Sequence, residues 1–236
     1  MKLKLGSKTI SENTLPYIIA EVGVNHDCSI SKAKKLIFNA KKGGAHSVKF
    51  QTYKANLLAS KFSPAYWDTT KEKSKNQYEL FKKYDSFGLN EYKILYRYCK
   101  KLNIDFSSTP FDLSSVDELN PYLKFFKVSS SDITNFPLLS KIASKKKPIL
   151  LSTGASNIDE IKEAVKYLKK KGSKEIILMH CILSYPTNDN DANLSMITDL
   201  KENFPEHIIG YSDHTLPDNQ MNKLITSYIL GSRVIE

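Results

Sequence analysis

Residues 17–26 read Tyr17-Ile18-Ile19-Ala20-Glu21-Val22-Gly23-Val24-Asn25-His26. A short apolar run, of a length suited to a buried strand, leads directly into a carboxylate, an amide and an imidazole. The pattern recurs along the chain. Strand-like runs follow at residues 47–50, 104–107, 125–128, 148–151, 175–179, 208–211 and 233–235. Amphipathic, lysine-rich stretches separate most of them. In one of these, residues 158–171, Ile161, Ala164, Val165 and Leu168 fall on a single helical stripe, and Gly172 supplies the stop signal.

Eight strands alternating with helices imply parallel pairing through right-handed crossovers. An open doubly wound sheet and a closed barrel both fit that rhythm. The residues after each strand separate them. Glu21, Asn25 and His26 follow the first strand, Gln51 the second and Thr109 the third. Ser129 to Asp132, Ser152 with Thr153, Tyr185, and Asp213 with His214 follow later ones. An open sheet concentrates its site at one switch point, whereas a barrel collects it from all the strand ends. The sequence therefore predicts an α/β fold of the TIM (β/α)8 barrel type, with residues 1–236 forming one catalytic domain. Residues 53–87, which hold Tyr66, Trp67, Tyr78 and Tyr84, break the rhythm. A stretch this long predicts an insertion over the barrel mouth, with a short helix over 77–84.

Hydrophobic residues make up 41% of the chain and charged residues 25%, as in ordinary globular proteins. No run is long enough to span a membrane, and the opening MKLKLGSKTI lacks the apolar segment of a signal peptide. Cys28, Cys99 and Cys181 show neither zinc nor redox spacing. These features point to a reduced, cytoplasmic protein that does not bind membranes. The net charge of +10 lies mostly in helix-like lysine runs such as Lys145, Lys146 and Lys147. Such runs read as solvated helix ends, and no aromatic-basic module accompanies them, so a nucleic-acid partner is not expected. Positive potential does favour encounter with an anionic substrate.

Lys49 and Lys127 each interrupt an apolar strand. A buried lysine needs a counter-charge, either a carboxylate such as Glu21 or Asp132 or an anionic ligand. Beside Thr109, Ser130, Ser152 and Ser212, the two lysines would form a phosphate and carboxylate receptor. Either could instead act as a Schiff-base nucleophile. His214 and His26, both after strands, are candidate metal ligands, while His46, His180 and His207 read as structural. No Gly-rich phosphate-loop or dinucleotide string is present.

Ordered blocks of the chain resemble the sialic acid (N-acetylneuraminate) synthase family. They are Ile19 to His26, Val48-Lys49-Phe50-Gln51-Thr52, Ser108-Thr109-Pro110-Phe111 and Lys127 to Asp132. Leu151-Ser152-Thr153-Gly154, His180-Cys181, Tyr185-Pro186-Thr187 and Ile209 to Thr215 continue the series. The resemblance implies a barrel enzyme that condenses phosphoenolpyruvate with an N-acetylmannosamine-like amino sugar, giving a nine-carbon 2-keto acid and phosphate. It implies a divalent metal, manganese or magnesium, held by His214. Lys49, Thr109, Lys127, Ser130, Ser152 and Ser212 would hold phosphoenolpyruvate. Glu21, Gln51, Asp132 and Tyr185 would face the sugar, and Glu236 would line the site. Glu21, Lys49, Lys127 and Asp132 form the implied catalytic set.

Three departures from the family pattern are visible. Asp132 stands where many members carry Glu, and Ile182 and Leu183 replace a more usual polar pair. The chain also ends at Glu236, two positions before the family's second metal histidine. The last barrel helix and an antifreeze-like domain, which caps a partner's site in a homodimer, would come after it. The resemblance thus predicts a barrel missing its last helix, a weakened metal site and exposed apolar area beside the eighth strand. It leaves open whether the amino sugar is free, 6-phosphorylated or a di-acetamido trideoxy sugar. Other readings of the residues are another phosphoenolpyruvate-dependent 3-deoxy-2-keto acid synthase, a Schiff-base aldolase, and an inactive barrel that only binds ligand.

Overall fold

The structure, a computed structural model, describes residues 2–236. The elements run β1 (Lys2–Leu5), β2 (Lys8–Ser11), β3 (Tyr17–Gly23), α1 (Ile30–Lys42), β4 (Ser47–Thr52), α2 (Ala55–Leu58) and α3 (Gln77–Tyr84). Next come α4 (Leu89–Leu102), β5 (Asp105–Pro110), α5 (Leu113–Leu119), β6 (Phe126–Val128), α6 (Phe136–Ala143) and β7 (Ile149–Ser152). The series ends with α7 (Ile158–Lys170), β8 (Ile176–His180), α8 (Met196–Asn203), β9 (Ile208–Tyr211), α9 (Asn222–Ile229) and β10 (Val234–Ile235). Strands β3 to β10 form one parallel eight-stranded sheet in the order β5-β4-β3-β10-β9-β8-β7-β6. Its two end strands, β5 and β6, also lie against each other, so the sheet is a nearly closed barrel. The eight predicted strands are all present.

The period of two along each strand sorts the side chains. Val48, Phe50, Phe126, Val128, Ile149, Leu151, Ile176 and Leu178 join the cluster shared with the surrounding helices. Tyr17, Ile19, Phe125, Leu150, Ile177, Met179, Ile208 and Val234 form a second cluster inside the barrel. Lys49 lies between outward Val48 and Phe50, and Lys127 between outward Phe126 and Val128, so both lysines point inward. Helix α7 has the expected stripe, with Ile161, Ala164, Val165 and Leu168 buried and a capping box between Asn157 and Glu160. Gly210 sits where a Cβ would lie 2.4 Å from Met179 Sδ and 2.8 Å from Val234 O, so the filled barrel interior leaves no room for a side chain.

The opening strands β1 and β2 were not anticipated. They form an antiparallel hairpin whose Leu3, Leu5 and Ile10 join the interior cluster, stopping the N-terminal end of the barrel. The hairpin turns at Gly6 with φ +56°, over Asp105. Asp105 accepts from Ser7 N at 2.6 Å and from Tyr17 OH at 2.7 Å, and pairs with Lys124 Nζ at 2.6 Å. Burial alone would raise the Asp105 pKa, but Lys124, Tyr17 and Ser7 outweigh it and hold the carboxyl below its ordinary range. Asp105→Ala should therefore lower unfolding stability by about 3 kcal/mol, since a buried donor left unpaired costs roughly 1–3 kcal/mol. Urea titration measures this. The pKa is depressed in the folded state, so the stabilisation is present at neutral pH. It fades as acid protonates the folded carboxylate, and the gap between wild type and variant should narrow there. An equal gap at neutral and acid pH would contradict this account.

The insertion contains the expected helix α3, capped by Asn76, and also the short α2. No helix follows β10 among the described residues. Beside β10 a groove of about 270 Å³ is lined by Ile18, Leu216, Leu224 and Ile235, and Ile225 and Ile229 on α9 are exposed. No helix of the described residues is long and apolar enough to cross a membrane.

Candidate active site

The C-terminal ends of the barrel strands surround a cavity of about 260 Å³. Glu21 from β3, Lys49 and Gln51 from β4, Thr109 from β5 and Lys127 from β6 all line it. Ser130, Ser152, Tyr185, Ser212, His214 and Glu236, from the later strand ends, line it as well. Phe111, Ser129, Cys181 and Asp213 also line it.

Four charged groups alternate across the floor. Lys49 Nζ lies 2.6 Å from Glu21 Oε2 and 3.4 Å from Glu236 Oε1. Lys127 Nζ lies 2.9 Å from Glu236 Oε2 and 3.2 Å from Oε1. The side chains of Lys49, Lys127 and Glu236 are 4%, 6% and 6% exposed, so water screens this cluster little. Burial alone would lower the Lys49 pKa, but the Glu21 and Glu236 carboxylates outweigh it and hold the ammonium charged. Burial would raise Glu236, but Lys127 and Lys49 hold it well below the usual carboxylate range. Lys49 also reaches Thr109 Oγ1 at 3.4 Å, and Gln51 Nε2 donates to Glu21 Oε1 at 3.0 Å.

Around this floor, Ser130 Oγ accepts from Gly154 N at 3.0 Å and contacts Cys181 Sγ at 3.0 Å. Ser152 Oγ is buried with no protein partner. At the rim, Tyr185 is 61% exposed. Burial of its phenol, then the nearby Cys181 and Tyr66, push its pKa up to about 12. The proximity of Tyr66 brings the insertion to the barrel mouth. His214 packs against Tyr185 with the rings tilted at 44° and their centroids 4.4 Å apart, and its Nδ1 lies 2.6 Å from Ile182 O. A carbonyl can only accept, so Nδ1 carries the proton and the Nε2 lone pair is left for a ligand.

Three expectations come out differently. Asp132 does not line the cavity. It ends a 3₁₀ turn, Ser130–Asp132, that directs its Oδ1 to Asn135 Nδ2 at 3.1 Å, and burial raises its pKa. The partner of Lys127 is consequently Glu236 rather than Asp132. His26 is buried and stacks on Phe87 at 4.3 Å, with its Nδ1 accepting from Cys28 N at 3.1 Å, so it is structural. His46, His180 and His207 are likewise bonded to backbone. Phe111, Ser129, Cys181 and Asp213 all stand inside motifs already singled out, though none was assigned a role at the site.

His214 fits as one metal ligand by its free Nε2. No group of three His, Cys, Asp or Glu side chains among the described residues is placed to hold an ion.

The chain is 44% identical over 224 residues to the N,N'-diacetyllegionaminic acid synthase of Campylobacter jejuni, covering 93% of this chain and 66% of that protein. It is 37% identical over 226 residues to the N-acetylneuraminate-9-phosphate synthase of Drosophila melanogaster, covering 93% and 59%. It thus spans less than two thirds of the length of these relatives. The crystal structure of an N-acetylneuraminic acid (sialic acid) synthetase from Leptospira borgpetersenii, in complex with citrate, matches all of this chain and 77% of its own. That match has a TM-score of 0.85 and 33% identity. Residues 36–236 match the NeuB family, and with a barrel and strand-end site of this kind the chain belongs to it.

Proposed function

We propose that this chain is the barrel of a nonulosonate synthase, which condenses phosphoenolpyruvate with an N-acetylmannosamine-like amino sugar. The observation that carries the reading is the pair of buried inward lysines, Lys49 and Lys127, with the unpartnered Ser152 hydroxyl beside them. Such a floor suits a ligand bearing both a phosphate and a carboxylate. In the reaction, C3 of phosphoenolpyruvate forms a bond to the aldehyde carbon of the open-chain sugar. Water adds at C2, and phosphate departs with the bridging oxygen as the C2–O bond breaks, so that the oxygen of the added water becomes the keto oxygen of the 2-keto acid.

The residues divide the work by depth. Lys49 and Lys127 balance the charge of phosphate and carboxylate, with Thr109, Ser130, Ser152 and Ser212 supplying hydroxyl contacts. Glu21, steadied by Lys49 and Gln51, is placed to orient a sugar hydroxyl or take a proton from the attacking water. Gln51 and Tyr185 face the sugar. Asp132, held by Asn135 outside the cavity lining, is given no direct part in the reaction. A divalent ion on His214 Nε2 would polarise the aldehyde carbonyl as a Lewis acid. The complete protein is proposed to work as a homodimer.

The test is phosphate release by the complete polypeptide. Release should require phosphoenolpyruvate, an N-acyl amino sugar and a divalent metal, and borohydride should trap no adduct on either lysine. A trapped lysine adduct would instead identify a Schiff-base aldolase.

A further inference from the structure

We infer that Cys181 is a positioning residue for phosphoenolpyruvate, holding the Ser130 hydroxyl so that its proton is left for the ligand, an inference resting on the synthase reading above. Three consecutive strand ends meet on that one hydroxyl. Ser130 stands just after β6, Gly154 just after β7 and Cys181 just after β8. Ser130 Oγ accepts from Gly154 N at 3.0 Å and lies 3.0 Å from Cys181 Sγ. The Ser130 and Cys181 side chains both line the cavity, and the two residues are 4% and 2% exposed. The thiol makes no other hydrogen bond among the described residues.

A serine hydroxyl has two lone pairs and one proton. The Gly154 amide takes one lone pair, because an N–H can only donate. The contact with Cys181 then decides where the proton goes. A Ser130 hydroxyl that donated to sulfur would have nothing to give an anion. Sulfur is a weak acceptor, whereas a phosphate or carboxylate oxygen forms a charge-assisted bond roughly twice as strong as a neutral one. With the anion present, the Ser130 proton goes to the ligand, and the Cys181 S–H fills the second lone pair. The thiol has little freedom to turn elsewhere. A Cβ built on Gly154 would lie 2.8 Å from Cys181 Sγ and 2.7 Å from Cys181 O, so the glycine backbone packs directly on this residue. Ser152 is an independent sign that this layer of hydroxyls is built for a ligand. Its Oγ is buried without a protein partner, and the residue lines the same cavity. Cys181 thus acts through Ser130.

The test is a double-substitution cycle on the complete polypeptide, with phosphoenolpyruvate affinity read by calorimetry and turnover by phosphate release. Each variant is measured at a temperature where circular dichroism shows it folded. Cys181→Ala should weaken phosphoenolpyruvate binding about 3- to 10-fold, the range of one ordinary hydrogen bond. Its kcat should change by less than about 2-fold, because ground state and transition state lose the contact alike. Cys181→Ser, which keeps a donor, should recover most of the affinity. In the Ser130→Ala background, Cys181→Ala should have no further effect. General damage to the fold would be neither recovered by serine nor cancelled by removing the Ser130 hydroxyl. Unchanged affinity in Cys181→Ala, a loss that Cys181→Ser does not recover, or full additivity with Ser130→Ala overturns the inference and leaves the synthase reading standing. A wild-type polypeptide that binds no phosphoenolpyruvate removes the synthase reading, and this inference with it.

Discussion

Replacing Lys127 with alanine should weaken phosphoenolpyruvate binding by roughly 10- to 150-fold. The figure follows from one charge-assisted contact, worth about 1.5–3 kcal/mol, and from a tenfold change in affinity per 1.4 kcal/mol. Lys127 reaches both oxygens of Glu236, at 2.9 and 3.2 Å. The substitution therefore also leaves a buried carboxylate with Lys49 alone, at 3.4 Å. Removing one member of a buried ion pair costs about 3–5 kcal/mol, so the variant should also be less stable. Affinity is accordingly measured by calorimetry at a temperature where circular dichroism shows the variant folded. Lys127→Met, which keeps the aliphatic stem, separates lost packing from lost charge and should show the same loss of affinity. Unchanged affinity in Lys127→Ala and in Lys49→Ala would move the anion site elsewhere. Lys49 stays charged through the physiological range because its pKa is raised, so its contribution should not titrate away between pH 6 and 9.

The second large effect concerns His214. In the complete polypeptide, His214→Ala should lower metal-dependent turnover by about 10³-fold, the scale on which Lewis-acid stabilisation of several kcal/mol acts. Phosphoenolpyruvate affinity should stay nearly constant, because the lysines hold that ligand. The two readouts separate a ligand histidine from a merely structural one. The same geometry predicts that manganese titrated into residues 1–236 binds weakly, since His214 Nε2 is the one imidazole nitrogen these residues offer at the cavity. Paramagnetic relaxation of water protons follows that titration. Tight, stoichiometric binding that survives His214→Ala would place the metal at other residues.

The fold was legible because its signals are local. Alternation placed Lys49 and Lys127 inside the barrel once their neighbours Val48, Phe50, Phe126 and Val128 were assigned outward. The strand-end rule then gathered eleven of the twelve candidate residues into one cavity. What the sequence hid is long-range. Residues 2–5 alternate plainly, but nothing local says that Leu3 and Leu5 will stop a barrel whose strands come later. The partner of Lys127 is 109 positions away in Glu236, whereas the nearby Asp132 was the natural guess until the 3₁₀ turn carried it toward Asn135. The orientation of His214 depends on the backbone carbonyl of Ile182. At that position the unusual side chain drew notice, yet the contact is one that any residue can supply. Phe111 and Cys181 stand inside blocks that carry the family resemblance, but only the closing of the sheet shows that their side chains line the cavity.

How the bond to phosphate breaks separates a synthase site from a phosphoryl-transfer site most directly. Phosphoenolpyruvate labelled with ¹⁸O at the bridging oxygen should be turned over by the complete polypeptide with a neutral N-acyl amino sugar, and the released phosphate analysed by mass. Water addition at C2 with carbon–oxygen cleavage predicts that the label leaves in phosphate, in step with formation of a nine-carbon 2-keto acid. Unlabelled phosphate, or phosphate released at the same rate without the amino sugar, would mean that the cavity hydrolyses or transfers a phosphoryl group and is not a synthase site.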